Sequence, residues 1–178
     1  MFDEVLTFWF KEISPCKWWI VDPAFDELLR TRFLSLLQQA AAGELFEWRT
    51  SARGCLAEII VLDQFSRNIY RGTPQAFAQD PQALALSQEA VAGKKWQALD
   101  EIKRSFLLMP YMHSESRLIH IQAEVLFKQF THLGNYEFEL RHKAIIDRFG
   151  RYPHRNKILG RISSEAEIEF LKQPDSGF

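Results

Sequence analysis

The chain has 178 residues and a formal net charge of −1, and a chain of this length can form one stable core without metal or cofactor, so we expect one domain over residues 1–178. Its two cysteines, Cys16 and Cys55, show no CxxC spacing and no partner histidine, so we interpret them as buried thiols. No apolar run approaches the roughly 18 residues that span a bilayer, and Asp3 and Glu4 stand where a signal peptide is basic, which predicts a cytoplasmic protein without membrane contact.

Glycine and proline divide the chain into helix-length segments, and the strict alternation typical of strands is hard to find. A short first helix is predicted over residues 3–10. The second begins at Asp22-Pro23, where an aspartate N-cap precedes proline at the first helical position, and it ends at Gly43. Its predicted inner stripe consists of Phe25, Leu28, Leu29, Phe33, Leu36 and Leu37.

A third helix is predicted from about residue 51 to residue 70, and its apolar first half, CLAEIIVL, indicates a central position. The pair Asp80-Pro81 repeats the start signal of the second helix and predicts a helix that ends at Gly93. The next predicted helix runs from residue 96 to residue 108. It stops there because Pro110 disfavours helical geometry in the residue before it.

Three further helices are predicted over residues 113–131, over residues 136–149 and from Ser164, whose spacing to Glu167 is that of a capping box. The fold class is therefore all-α, with about seven or eight antiparallel helices in a bundle or a solenoid fragment. The residues themselves show no 34-residue repeat of the tetratricopeptide type.

Polar residues share one face on the late part of the third helix: Asp63, Gln64, Arg67, Asn68 and Arg71. The apolar residues between them point the other way. One interpretation is a solvated face with an ion pair between Asp63 and Arg67. The alternative is that this polar stripe lines an inner groove and orients an anionic ligand.

A second cluster, His113, Glu115, Arg117 and His120, lies at the start of a predicted helix. Glu115 in a first helical turn suits the helix dipole, so helix capping is one interpretation and a catalytic histidine is another. The two histidines stand seven residues apart, too far for direct chelation of one metal without a bend. We therefore predict no metal site.

Residues 141–161 carry seven basic residues and one acidic residue, which leaves a net charge of −7 for the rest of the chain. Aromatic residues and His154 alternate with these arginines, a mixture suited to a single strand of nucleic acid. Alternatively, the arginines cap helix carbonyls or pair with carboxylates inside the protein. The arginines of the irregular part are Arg148, Arg151, Arg155 and Arg161.

The chain resembles the bacterial domain-of-unknown-function 924 family in phrases that occur in order: VLTFWF, LDQFSRNIYRGTPQAFAQD, FLLMPYMHSES, RFGRYPHRNKILGR and SSEAEIEFL. The resemblance covers nearly the whole chain and implies a tetratricopeptide-like, right-handed array of helices. It implies no mechanism. The positions that match the family's motifs are Asp63, Gln64, Arg67, Asn68, Pro110, His113, Glu115, His142, Arg148, Arg151, His154, Arg155, Asn156 and Arg161.

These observations favour a binding or scaffold module whose arginine- and histidine-lined groove holds a small anionic ligand or peptide. The alternative is a small enzyme with His113 or His142 as general base and arginines that stabilise negative charge. Nucleic-acid binding through residues 141–161 ranks behind both. A histidine and a carboxylate that converge in a pocket would favour the enzyme, and a long apolar groove would favour the module. The candidate ligand-binding residues are Asp63, Arg67, Asn68, His113, Glu115, His142, Arg148, Arg151, His154, Arg155 and Asn156.

Overall fold

The computed structural model describes residues 1–174 and 176–177, and this part of the chain contains helices and turns but no β-strand. The all-α prediction is confirmed. The α-helices are α1 (Phe2–Thr7), α2 (Pro23–Ala41), α3 (Ala52–Ile60), α4 (Ser66–Ile69), α5 (Asp80–Ala92), α6 (Glu101–Met112), α7 (Arg117–Phe130), α8 (Leu133–Phe149) and α9 (Glu165–Phe170).

Two of the predicted start signals act as hydrogen-bonded caps. The Asp22 carboxylate accepts backbone N–H bonds in the first turn of α2, and Ser164 and Glu167 form a complete capping box at α9. The second Asp-Pro pair works differently. Gln79 is the N-cap of α5, and Asp80 makes no capping bond because its carboxylate binds two arginines of the site described below.

A buried helix occupies the centre of the molecule. Helix α3, the π-helical turn Val61–Phe65 and α4 form one continuous helix, close to the predicted span of residues 51–70. Every residue from 54 to 66 is buried, and this central helix contacts α1, α2, α5 and α6. It carries two buried acids, Glu58 and Asp63, and Arg49 compensates Glu58 with hydrogen bonds of 2.8 and 2.6 Å.

The later helices pack in succession, beginning with α5 and α6, which contact the central helix. Helix α5 contacts α6, α6 contacts α7, and α7 contacts α8. A second apolar cluster, with Ala123 and Phe127 at its centre, joins α6 to α7, and a third surrounds Ile146 and Tyr152. The tetratricopeptide-like arrangement implied by the family resemblance stays a prediction.

The prediction that a helix stops before Pro110 is wrong. The chain forms a 3₁₀ turn at Lys95–Ala98, and α6 then begins after its N-cap Asp100 and continues through Pro110 to Met112. Residues 105–112 are all buried. Their packing outweighs the one backbone hydrogen bond that a proline cannot donate.

The other two predicted starts shift by a few residues. Helix α7 begins at Arg117 rather than near residue 113, because residues 113–116 form the connection that carries the site. Helix α8 begins at Leu133 and includes Gly134, which the sequence suggested as a turn.

Two burial predictions are also wrong. Leu28 is 48% exposed because Phe25, Leu29 and Phe33 follow the four-residue spacing of the inner stripe, and Leu28 lies about 100° away from it on the helix. Cys16 lies exposed in a surface 3₁₀ turn, whereas Cys55 is buried as predicted. In the described residues, no helix combines the length and the apolar character needed to cross a bilayer.

Two glycines should respond oppositely to alanine substitution. A Cβ at Gly54 would lie 2.2 Å from the carbonyl oxygen of Trp48, which is fixed backbone, so Gly54→Ala should destabilise the protein by about 1–3 kcal/mol. A Cβ at Gly134 meets nothing within 4 Å, so Gly134→Ala should be neutral or stabilise α8 by up to about 1 kcal/mol. Urea unfolding of both variants measures the difference, and equal effects would contradict this packing.

Candidate functional site

The site begins with Asp63, which lies in the π-helical turn of the central helix and is 1% exposed. Such turns are frequent at functional sites. Its Oδ1 accepts a hydrogen bond from Nδ1 of His113 at 2.7 Å and lies 3.1 Å from Nη1 of Arg67, and Gln64 donates to Oδ2. The prediction of a solvated face is therefore wrong for Asp63 and Gln64, which are both buried.

The Asp63–His113 pair has a defined protonation state. Burial opposes ionisation of Asp63, but Arg67 and His113 outweigh it and hold the pKa of Asp63 below its ordinary value. Burial, reinforced by Arg67, lowers the pKa of His113 more than Asp63 raises it. The imidazole is therefore neutral at pH 7, with its proton on Nδ1 facing Asp63 and a lone pair on Nε2.

Arginines extend this pair into a closed ring of five residues, which we call the charged ring: His113, Asp63, Arg67, Asp80 and Arg155. Arg67 donates two hydrogen bonds to Asp80, of 2.8 and 3.0 Å. Nη1 of Arg155 reaches the same carboxylate at 3.2 Å, and its Nη2 donates to the His113 carbonyl at 3.0 Å. The ring joins the central helix, the start of α5, the end of α6 and the 3₁₀ turn Pro153–Arg155.

The end of α6 is held at its carbonyl groups as well. Three successive carbonyls, those of residues 112–114, accept hydrogen bonds in order from Tyr152, Arg155 and His120. The other nitrogen of His120 lies 2.7 Å from Glu139, and both side chains are fully buried. Carbonyls at a helix end have no partner within the helix, so these side chains fix the position of His113.

A cleft of about 360 Å³ opens beside the charged ring. Its polar lining consists of Asp80, His113, Ser114, Glu115 and Arg155. Its apolar wall includes Pro74, Phe77, Pro81, Leu84, Pro110 and Leu159. A histidine that is hydrogen-bonded to a buried carboxylate thus lines a small cleft, although the carboxylate itself does not.

Arg155 and Glu115 both line the cleft, but they differ in how well neighbouring groups neutralise their charges. Arg155 is 6% exposed, and its guanidinium lies 4.6 Å from the ring centres of both Phe77 and Tyr152. Glu115 accepts two hydrogen bonds from Arg161, of 2.6 and 2.9 Å, and one from the Tyr152 N–H at 2.7 Å. These contacts lower the pKa of Glu115 against the opposing effect of its burial, so Glu115 is ionised.

Several predicted site residues lie outside the cleft. Asn68 and Arg71 donate hydrogen bonds to Asp26 on α2. The predicted polar stripe is therefore divided between the charged ring and this contact with α2. Arg151 binds Glu167 with hydrogen bonds of 2.7 and 2.8 Å. The other residues away from the cleft lining are Asp63, Arg67, His142, Arg148, His154 and Asn156.

The basic segment is largely compensated within the protein. Three of its arginines bind carboxylates, as the structural interpretation proposed, and Arg148 is exposed above the Phe149 ring. The carboxylate pairs are Arg151–Glu167, Arg155–Asp80 and Arg161–Glu115. In the described part of the chain, no group of three or more His, Cys, Asp or Glu side chains is placed to hold a metal ion.

Sequence reasoning missed Asp80, Phe77 and Tyr152 as parts of the site. The pair Asp80-Pro81 predicts only a helix start. A signal was present, because Phe77 and Asp80 stand in the phrase RGTPQAFAQD and Tyr152 stands in RFGRYPHRNKILGR, two of the phrases that carry the family resemblance.

Fold and cleft together define an all-α protein with a small, partly apolar cleft. A family model described as "Bacterial protein of unknown function (DUF924)" matches residues 5–175, and the chain belongs to this family. A solved structure of a protein of unknown function from Agrobacterium tumefaciens is similar, with a TM-score of 0.91, 36% identity and 96% of each chain covered. Among curated proteins, no match to the chain was found. The comparisons give a family and a fold, and no activity.

His142, one of the two histidines proposed as a base, should act on stability. It is buried in α8, its Nδ1–H donates to the Phe138 carbonyl at 2.8 Å, and burial lowers its pKa to about 3. Below pH 6.5, His142 binds a proton in the unfolded chain but stays neutral in the folded protein. The free energy of unfolding therefore decreases as the pH falls. Between pH 7 and pH 5 the cost is about 2 kcal/mol.

A His142→Asn variant tests this linkage, because asparagine keeps a donor near the Phe138 carbonyl but does not titrate. Urea unfolding at both pH values should show that the wild type loses about 2 kcal/mol more than the variant. Equal losses would mean that His142 is protonated in the folded protein.

Proposed function

We propose that the protein is an enzyme acting on a small molecule, with His113 as general base and Asp63 as the residue that orients it. One observation carries the proposal: the 2.7 Å contact between Nδ1 of His113 and the buried Asp63 carboxylate at the edge of the cleft. His113 lines the cleft and Asp63 does not, so the ring edge with Nε2 is the one that reaches a ligand. Nε2 forms no hydrogen bond to any described residue.

The electrostatics support a base rather than a structural histidine. The lowered pKa leaves His113 unprotonated at neutral pH, ready to accept a proton on Nε2. The imidazolium so formed would face the ionised Asp63, which stabilises it. Arg155 lines the same cleft as His113, so its charge would stabilise negative charge that develops on a substrate.

The base acts on water or on the substrate itself. In the described part of the chain, no serine, threonine or cysteine side chain is hydrogen-bonded to His113, although Ser114 follows it and lines the cleft. The proposed reaction class is therefore proton abstraction, either from a bound substrate or from a water that attacks it.

A non-catalytic binding module is the second candidate, and the same cleft supports it. The volume of about 360 Å³ lies at the small end of the roughly 300–1,000 Å³ of small-molecule sites, which favours a compact ligand over a peptide. The two candidates differ in one respect. A binding module needs no titrating histidine, whereas the enzyme loses its rate when His113 is replaced.

Replacing His113 with asparagine tests the general base, because the amide keeps a donor toward Asp63 and cannot take up a proton. A wild-type rate found on a panel of small chromogenic esters should fall about 10²–10⁴-fold in His113→Asn, with an unchanged melting temperature. The control is His132→Asn, because His132 is a surface histidine that pairs with Glu101. Turnover that survives in His113→Asn would rule out this mechanism.

The pH profile tests the role of Asp63. Since only unprotonated His113 can act, kcat/KM should reach a plateau at alkaline pH and fall as the pH drops through a pKa below the ordinary 6.5. Asp63→Asn removes the charge that raises the pKa of His113, so the acid limb should move to lower pH while kcat decreases. An NMR titration of the His113 ring in both proteins checks the shift, and a limb that moves to higher pH would contradict the assignment.

A further inference from the structure

We propose that the ligand of the cleft is a small molecule with one carboxylate and a short apolar body, and that Arg155 binds the carboxylate. The inference rests on the proposed function, because it names the substrate class of the same cleft. Four features of the cleft carry it: the incomplete pairing of Arg155, its rigid support, the charges around it and the apolar wall.

Arg155 is a buried cation with an incomplete set of partners. Its only contact with a carboxylate in the described residues is the 3.2 Å contact to Asp80, and Arg67 already holds both oxygens of Asp80 at 2.8 and 3.0 Å. The Nε–H group of Arg155 is buried without an acceptor. A buried charge needs a close opposite charge. The only one that Arg155 has among the described residues is Asp80, which Arg67 also binds.

The titration of Arg155 agrees with this geometry. Burial and the neighbouring Arg67 lower its pKa from the ordinary value, and Asp80 does not cancel them. A ligand anion in the cleft would supply the missing negative charge.

The guanidinium is also held rigidly. The rings of Phe77 and Tyr152 each lie 4.6 Å from it, and the bond from Nη2 to the His113 carbonyl fixes its rotation. A planar cation fixed in this way loses little entropy when it binds a planar carboxylate.

The surrounding charges favour one negative charge over two. Asp80 and Glu115 both line the cleft, and Glu115 is ionised beside Arg161. A carboxylate can be balanced by Arg155 alone. A doubly charged phosphate ester would meet the repulsion of both acids, and Arg155 is the only arginine or lysine among the lining residues to oppose it.

The apolar wall describes the remainder of the ligand. Phe77, Leu84, Pro110 and Leu159 face the polar lining across a volume of about 360 Å³. Such a wall stabilises an alkyl or small aromatic group by burying it. Because Arg155 and His113 line the same small cleft, a carboxylate bound to Arg155 would lie in the same cleft as the base, and the proton removed would lie a few bonds from that carboxylate.

Calorimetric titration of the wild-type protein tests the ligand class. The probes are straight-chain monocarboxylates from acetate to octanoate, the matching primary amides and butyl phosphate. Affinity should rise with chain length until the cleft is full, and each amide should bind at least about tenfold more weakly than its carboxylate. Equal or tighter binding of the amides, or tighter binding of butyl phosphate, would overturn the inference.

Two variants locate the binding. Arg155→Gln should weaken the best carboxylate about 10- to 100-fold, and Arg148→Gln should leave it unchanged, because Arg148 lies exposed on Phe149 away from the cleft. If Arg155→Gln does not fold, Ala78→Phe decides. Ala78 is an exposed residue of the cleft lining and not a member of the charged ring, so a phenylalanine there should narrow the cleft and leave the ring intact. Undiminished carboxylate affinity in Ala78→Phe would overturn the inference.

The His113→Asn variant separates this inference from the proposed function. Carboxylate binding that persists in this variant, while turnover disappears, supports both. Turnover of neutral esters that depends on His113, without carboxylate binding, would overturn the ligand class and leave the general base. If carboxylates bind but the His113→Asn variant keeps the wild-type rate, the ligand class is supported and the role of His113 as general base is overturned.

Discussion

The structure depends on one buried anion, the carboxylate of Asp63. Removal of a carboxylate from water costs on the order of several kcal/mol, and only close opposite charge and hydrogen bonds offset that cost. Arg67 and His113 provide them, and each is then held in turn, Arg67 by Asp80 and His113 through its carbonyl by Arg155. A requirement at one residue of the central helix therefore fixes the start of α5, the end of α6 and the 3₁₀ turn Pro153–Arg155.

Most of the fold could be predicted because helix boundaries depend on local chemistry. The Asp22 cap, the Ser164 capping box and the apolar half of the central helix each act within a few residues, and each appears where the sequence places it. The prediction failed at Pro110, where buried neighbours outweigh a local preference. It failed again at Asp80, because the same carboxylate that could cap a helix is bound by arginines instead.

The site was predicted only in pieces. Asp63 and His113 were both singled out, but in separate clusters fifty residues apart in the chain, and no local pattern reports a contact over that separation. No sequence pattern predicts the π-helical turn that carries Asp63 either. The net charge of residues 141–161 was misleading for a related reason. The basic segment looks like a cationic surface when it is counted along the chain, yet in three dimensions three of its arginines meet acids from elsewhere.

The closed form of the charged ring has an evolutionary consequence. Arg67 is the main opposite charge of buried Asp63, and Asp80 is that of buried Arg155, so replacement of Arg67 or Asp80 leaves a buried charge uncompensated, a change that typically costs about 3–5 kcal/mol. Evolutionary intermediates that lack one of these charged partners are therefore poorly stable. Replacement of one compatible set of charged residues by another would pass through such destabilised variants. The four charged positions, Asp63, Arg67, Asp80 and Arg155, should therefore change together or not at all, even where the ligand of the cleft has changed.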